Sequence, residues 1–240
     1  MALNVGSGSL RNYQNNTNSL NNTAKKLSTG YQINSAADDA AGLAISQKMR
    51  TQITADQARY QNTQHEISAA RTGDGALSSI QDTLDRMRNL AMQSSSGIYG
   101  DTERSMLQKE FSQLQSQIGG VFEGTNFNGK ELLTNDLDIG GLSIASQDGA
   151  MSALEGLSSA IDAISSQRSD FGAQQNRAQY TADGLMTSMI NTQDAESEIR
   201  DIDMALAAMD NTKKQILQQS SLFMMAQANQ NVPTVMQFLR

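Results

Sequence analysis

The sequence predicts a mainly α protein, a long antiparallel helical bundle or coiled coil with one small β-hairpin, its two termini paired in an α-helical coiled coil. Three observations lead there. One Pro, no Cys, no Trp and 5% aromatics in 240 residues suit long helices and give little to a sandwich, a barrel or a disulfide scaffold. Apolar residues recur at alternating intervals of three and four at both ends and through most of the interior. A single stretch, residues 124–150, interrupts that rhythm with turn chemistry.

The elements follow in chain order. Leu10, Tyr13, Thr17, Leu20, Ala24 and Leu27 form one helical stripe. The Asn, Ser and Thr between them each cost about 0.5 kcal/mol of helix propensity relative to Ala, so the segment is marginal alone in water. Ser35 to Asp38 reads as a capping box, with Asp38 and Asp39 in the first turn of a long helix. Its stripe of Leu77, Ile80, Leu84, Met87 and Ala91 is closed by Ser94-Ser95-Ser96-Gly97. A second interior helix runs from about Asp101, with Leu107, Phe111, Leu114 and Ile118 in step, to Gly119-Gly120. The short loop between these two makes them antiparallel.

Asn128-Gly129 is hairpin-turn chemistry, and alternation from Leu137 to Ser146 around Gly140-Gly141 places the hairpin at about 128–148. A third long helix begins at Ser152 and carries Leu154, Leu157, Ile161, Ile164, Phe171, Ala178, Ala182, Leu185 and Met189. The final stripe, Ile199, Ile202, Leu206 and Met209, resumes with Ile216, Leu217 and the Leu222 to Met225 cluster.

Charge separates the ends from the middle. Residues 1–35 carry net +3 and residues 200–240 net +1, against −11 between them, which makes up the total of −7. A sparse basic end without Arg clusters, on an acidic chain, argues against nucleic-acid binding. Without Cys there is no thiol catalysis or Cys-ligated metal, and the single His65 removes His triads. His65-Glu66 lacks the second His one turn on that a zinc-protease helix needs, and a solvated helix histidine is the plainer reading. With no Gly-rich phosphate loop and no convergent His or Cys set, catalysis, metal and cofactor have no support. Apolar runs such as Leu222 to Ala226 are far too short to cross a bilayer, so no membrane insertion is expected. Residues 1–35 show no basic start followed by an apolar block, so export, if it occurs, is expected without a cleaved signal peptide.

Several blocks in order are specific enough to carry a resemblance. They are Leu27 to Gly42 (LSTGYQINSAADDAAG), Arg86 to Gln93 (RMRNLAMQ), Thr125 to Gly129 (TNFNG), Gln215 to Gln219, Ala226 to Gln230 and the terminal Phe238-Leu239-Arg240. Over essentially its whole length the chain resembles bacterial flagellin, the subunit of the flagellar filament. The resemblance implies an inner, discontinuous coiled-coil domain for polymerisation from residues 1–35 and 200–240, and an outer helical domain from 36–199. The variable outer domains of many flagellins, where some carry zinc-protease motifs, are expected to be absent. Hook-filament junction proteins share such ends, but the dense match of the C-terminal blocks favours the filament subunit.

Assembly can be argued from the residues as well. Two amphipathic ends too polar to stay helical alone gain burial by packing on each other and on further copies, which couples their folding to polymerisation. Heterologous contacts whose rotation does not close make an open helical filament. The expected interface is Leu10, Tyr13, Leu20, Leu27, Ile202, Leu206, Met209, Ile216, Leu217, Phe223, Met224, Phe238 and Leu239. An ordinary soluble bundle whose termini pair within one chain, or a cytosolic helical adaptor, is the alternative on spacing alone. The methionines near the C-terminus, Met204, Met209, Met224, Met225 and Met236, either fill a core or form an interface able to repack.

The resemblance implies further partners: the flagellar cap and hook-filament junction proteins, an export chaperone on the C-terminal helix, and the flagellar secretion apparatus leading to an extracellular filament. It also implies that Arg86, Leu90 and Glu110 match the residues by which flagellins contact a host Toll-like receptor, with Asn89 at a position often acidic in the family. On pattern alone the trio equally fits a solvated ion pair beside a core leucine.

Overall fold

A computed structural model describes residues 2–134 and 137–238, with side chains for residue 8, residues 10–134 and residues 137–227. The described elements are α1 (Ala2–Thr29), α2 (Ala40–Ser95), α3 (Asp101–Gly124), β1 (Asn126–Phe127), β2 (Lys130–Glu131), α4 (Gln147–Arg200) and α5 (Met204–Phe238). They fall into two compact units, residues 56–187 and the pair of segments 1–55 and 188–240.

The unit of residues 56–187 has a closed apolar core. Leu77, Ile80, Leu84, Met87, Leu90 and Ala91 of α2 meet Phe111, Ile118 and Phe122 of α3 and Ala150, Ala153, Leu157, Ala160 and Ile164 of α4. The repeat of three and four on each helix puts these side chains on one face, as the stripes predict. α3 runs through Gly119-Gly120 to Gly124 instead of stopping there, because Ile118 and Phe122 on either side are buried in the core. That packing outweighs the roughly 1 kcal/mol each glycine costs a helix. Gly100 is the N-cap; Asp101 and Glu103 lie in the first turn, where carboxylates favour the helix dipole.

The hairpin lies at 126–131, not over 128–148: Asn126 pairs with Glu131 and Phe127 with Lys130. Asn128 and Gly129, at φ 54° and 77°, supply the two left-handed positions of a two-residue turn. The alternating stretch from Leu137 is no strand among the described residues. Its backbone is taken up by side chains: Gln115 Nε2 donates to the Ile139 and Leu142 carbonyls at 2.6 and 3.0 Å, and Gln108 Oε1 accepts from the Ile144 amide at 2.6 Å. Ile139 and Ile144 are thereby turned into the core, so the alternation records burial of an irregular segment fastened to α3. α4 starts earlier than Ser152, capped by Ser146, whose Oγ accepts from the Gly149 amide.

In the other unit, α1 ends on Gly30 at φ 75°, the left-handed residue that closes a helix C-terminus. α2 begins at Ala40, not Ser35. Asp39 is its cap, accepting from the amides of Ala41 and Gly42 at 3.0 Å each. Asp38 turns back instead, accepting from the Asn34 and Ser35 amides and the Ser35 hydroxyl, so the anticipated box closes a loop before the helix. The stripe read through Ile199 and Ile202 is broken at residues 201–203. Asp203 caps a new helix, accepting from the Ala205 and Leu206 amides. The two breaks are tied together: Gln32 N donates to Arg200 O at 2.7 Å, and Ile202 N to Gly30 O at 3.0 Å. The Arg200 guanidinium stacks 4.1 Å from the Tyr31 ring centroid and pairs with Glu196, which accepts from the buried Ser46 hydroxyl.

Leu84→Ala empties a fully buried site, so urea unfolding of the helical signal is expected to show a loss of about 2–5 kcal/mol. Ile98→Ala, at a position 91% exposed, should lie within about 0.5 kcal/mol of the parent.

Candidate assembly surfaces

α1 and α5 pack along one another, and the seam between them is largely polar. Lys214 Nζ donates to Thr23 Oγ1 at 2.6 Å, Asn16 Nδ2 to the Lys214 carbonyl at 3.0 Å, and Gln218 Nε2 to Thr17 Oγ1 at 3.0 Å. Lys214 also pairs with Asp210 at 2.7 Å. Ala207, Asp210, Asn211, Lys214 and Gln218, at helical spacing, form the covered side of α5. The Asn211 Oδ1 atom there is buried without a partner. From α1 come Tyr13, Thr17, Leu20 and Leu27, half-buried, and Thr23, buried. Thr23 takes the place expected of Ala24, which is exposed. Its hydroxyl also donates to the Ser19 carbonyl, so a polar residue occupies the seam with its hydrogen bonds made.

Among the described residues, most of the large apolar side chains of α5 face the other way. Leu206, Met209, Ile216, Leu217, Phe223 and Met224 are between 48% and 77% exposed. Met209, Ile216 and Phe223 are seven apart, as are Leu217 and Met224, so two rows run along one side of the helix. Met204 and Leu222 are also exposed, but they stand about 140° round the helix axis from Met209, outside these rows. Burying one large apolar side chain contributes about 1.5–3 kcal/mol, and these residues, half or more exposed, leave much of it unrealised within the single chain. Met209 and Met224 therefore fill no core of their own subunit, whereas Met225 is half-buried on the covered side. Leu10 is also exposed, at 47%, and Ile202 lies half-buried in the connection between α4 and α5. The side chain of Phe238, and Leu239 altogether, lie outside the described residues.

Asp38, Asp203, Asp210, Lys26 and Lys214 line one polar groove beside this seam. The Ser35 hydroxyl, then the Asn34 and Ser35 amides, hold the Asp38 carboxyl below its usual range, with Lys26 adding attraction. Asp210 is held low by its hydrogen bond from Lys214, with Lys213 adding charge.

The trio matched to a receptor contact divides in two. Arg86 Nη2 and Nε both donate to Glu110 Oε1, at 2.6 and 3.0 Å, across the antiparallel α2 and α3, with the two side chains 55% and 43% exposed. Leu90 is 1% exposed and belongs to the core. Its place four residues after Arg86 puts it in line with Met87 and Ala91, under the pair and not beside it, so its side chain offers no surface for a contact.

Among the described residues no group of His, Asp and Glu is arranged to hold a metal, and no helix is long and apolar enough to cross a membrane.

Residues 3–137 match the family model for the bacterial flagellin N-terminal helical region, and residues 154–239 the one for the bacterial flagellin C-terminal helical region. A flagellin of Halalkalibacterium halodurans is 38% identical, with 96% of this chain and 95% of the relative covered. The flagellar filament 30.7 kDa core protein of Treponema maltophilum is 36% identical over 93% of each chain. A flagellin of Bacillus subtilis is 34% identical over 96% of each.

A carboxyl whose folded pKa is depressed adds stability above its unfolded pKa and loses it as pH falls through the folded value. Far-ultraviolet circular dichroism of the free subunit is therefore expected to lose helical signal as pH falls below about 4, as Asp38 and Asp210 protonate and Lys214 is released. Asp210→Asn should show a smaller acid-dependent loss than the parent.

Proposed function

From the premise that the chain belongs to the bacterial flagellin family, we propose that it builds an extracellular helical filament for swimming by stacking copies of itself through the outward face of α5 and the exposed part of α1. It is a structural filament subunit that associates with itself, and not an enzyme. The observation that supports this route of assembly most is the orientation of α5. Its polar residues pair with α1 while Met209, Ile216, Leu217, Phe223 and Met224, 48% to 77% exposed, are turned to solvent.

Residues 1–35 and 200–240 are the polymerising part in this reading, and residues 36–199 the outer part. Residues 132–146, too few for a further domain, separate β2 from α4. By family resemblance the subunit leaves the cell through the flagellar secretion apparatus without a cleaved signal peptide. A chaperone covers α5 on that route, and the cap and hook-filament junction proteins bound the polymer at its two ends. A chaperone on α5 fits the physics, because an exposed apolar helix needs cover before its own copies supply it.

The same resemblance supports contact with the host Toll-like receptor that senses flagellins. The exposed Arg86 and Glu110 pair is the contacting surface, and Leu90 holds α2 in place beneath it.

Two measurements test these readings. In seeded growth from sheared filaments, followed by electron microscopy, Ile216→Ser with Phe223→Ser should abolish elongation while leaving the melting of the core of residues 56–187 unchanged. Elongation at the parent rate would remove α5 as the stacking face. In a receptor reporter assay with free subunits, Arg86→Ala and Glu110→Ala should each weaken the response about tenfold, the loss of roughly 1.4 kcal/mol at a contact. A response untouched by both substitutions would remove the receptor role from this pair.

A further inference from the structure

Three thioethers of α5 are exposed to solvent. Met204, Met209 and Met224 are 52%, 64% and 68% exposed; Met92, Met106, Met151 and Met186 outside α5 are exposed to a similar degree, whereas Met87 is sealed in the core of residues 56–187. What sets Met209 and Met224 apart is their place in the apolar rows of α5. Met209 shares a heptad row with Ile216 and Phe223, and Met224 a row with Leu217. Met204 opens the helix directly after its cap, Asp203, outside both rows. The leucine, isoleucine and phenylalanine neighbours are inert to mild two-electron oxidants, and methionine sulfur is not.

We propose that Met204, Met209 and Met224 form an oxidation site through which peroxides control whether a free subunit can join the polymer. The proposal rests on α5 being the stacking face. In the step, the sulfur lone pair attacks one oxygen of hydrogen peroxide, an S–O bond forms and the O–O bond breaks. Hydroxide departs and takes the proton from the oxygen retained on sulfur, leaving a sulfoxide and water. Each sulfur gives up two electrons and the peroxide accepts them.

The product changes the physics of the face. A sulfoxide is polar and a strong hydrogen-bond acceptor, and burying it against apolar side chains without a donor is costly. Both apolar rows contain one of these sulfurs, so oxidation reaches the whole side of the helix. Stacking covers the sulfurs of Met209 and Met224 in the two rows, so oxidation there acts on subunits before they join and spares those already in place. Methionine sulfoxide reductases reverse the chemistry, which makes the site a switch and not merely damage.

The experiment uses the full chain. Free subunits are treated with hydrogen peroxide, the added oxygen is located by peptide mass spectrometry, and the treated subunits are offered to sheared, untreated filaments. Elongation is expected to fall at least about tenfold, as burial of unpaired polar groups demands, and to recover after reductase treatment. The triple variant Met204→Leu, Met209→Leu, Met224→Leu should keep its own untreated rate after the same exposure. Parent subunits that carry all three sulfoxides and still elongate at the untreated rate would overturn the proposal. So would a triple variant inhibited as strongly as the parent, since that assigns the effect to other methionines. Untreated subunits that never extend a filament would overturn the assembly reading itself, an outcome recognisable before any peroxide is added.

Discussion

The organising constraint of this molecule is the direction in which α5 faces. A two-helix coiled coil normally hides its apolar rows between the helices, and burial there is what holds the helices together. Between α1 and α5 the positions facing inward include Leu20, Leu27 and Ala207 but also Thr17, Thr23, Lys214 and Gln218, which hydrogen bonds join across the seam, with Lys214 held by an ion pair to Asp210 on its own helix. Net contributions of such bonds are about 0.5–1.5 kcal/mol each, because the unfolded chain makes equivalent bonds with water. The apolar surface that could stabilise the pair strongly lies on the opposite side of α5, in solvent. The polar seam thus sets register and orientation, and in the proposed assembly the driving force for a durable structure is supplied by a neighbouring copy.

The unit of residues 56–187 follows the opposite design. Three helices converge on Leu84, Met87, Phe111, Leu157 and Ile164, all fully buried, and the irregular segment before α4 is pinned by the side chains of Gln108 and Gln115. It completes its own core and needs no partner. A subunit with one self-sufficient unit and one that is left short of apolar burial can remain soluble alone and become rigid on stacking. Association of that kind couples ordering to binding, and an open, heterologous contact repeats it indefinitely.

Much of this was legible in the sequence, and the failures have physical causes. The helical architecture and the core stripes followed from spacing, because packing and periodicity agree in α2, α3 and α4. Helix starts were misplaced where two carboxylates compete: Asp38 and Asp39 are adjacent, and only hydrogen-bond geometry shows that the second caps α2. The Asn128-Gly129 turn reveals the hairpin, but the alternation after it extends the strands too far along the chain, since alternation reports burial whether the backbone partner is a strand or a glutamine. The polar seam went unread because an apolar pattern points to Leu206 and Met209 and is silent on Thr23 and Lys214. Reading which polar residues on α1 and α5 could satisfy one another would have been the only signal for it. Leu90 was placed with its ion-paired neighbours by spacing of four, when the same spacing admits a core position under them.

The most direct measurement is amide hydrogen exchange along the full chain, compared between free subunits and assembled filaments. Neighbour-supplied burial requires that α1 and α5 exchange rapidly in the free subunit while the core stretches of α2, α3 and α4 stay protected, and that assembly slows exchange along both terminal helices. Terminal helices as well protected in the free subunit as in the filament would show that the seam suffices on its own, and would contradict this account.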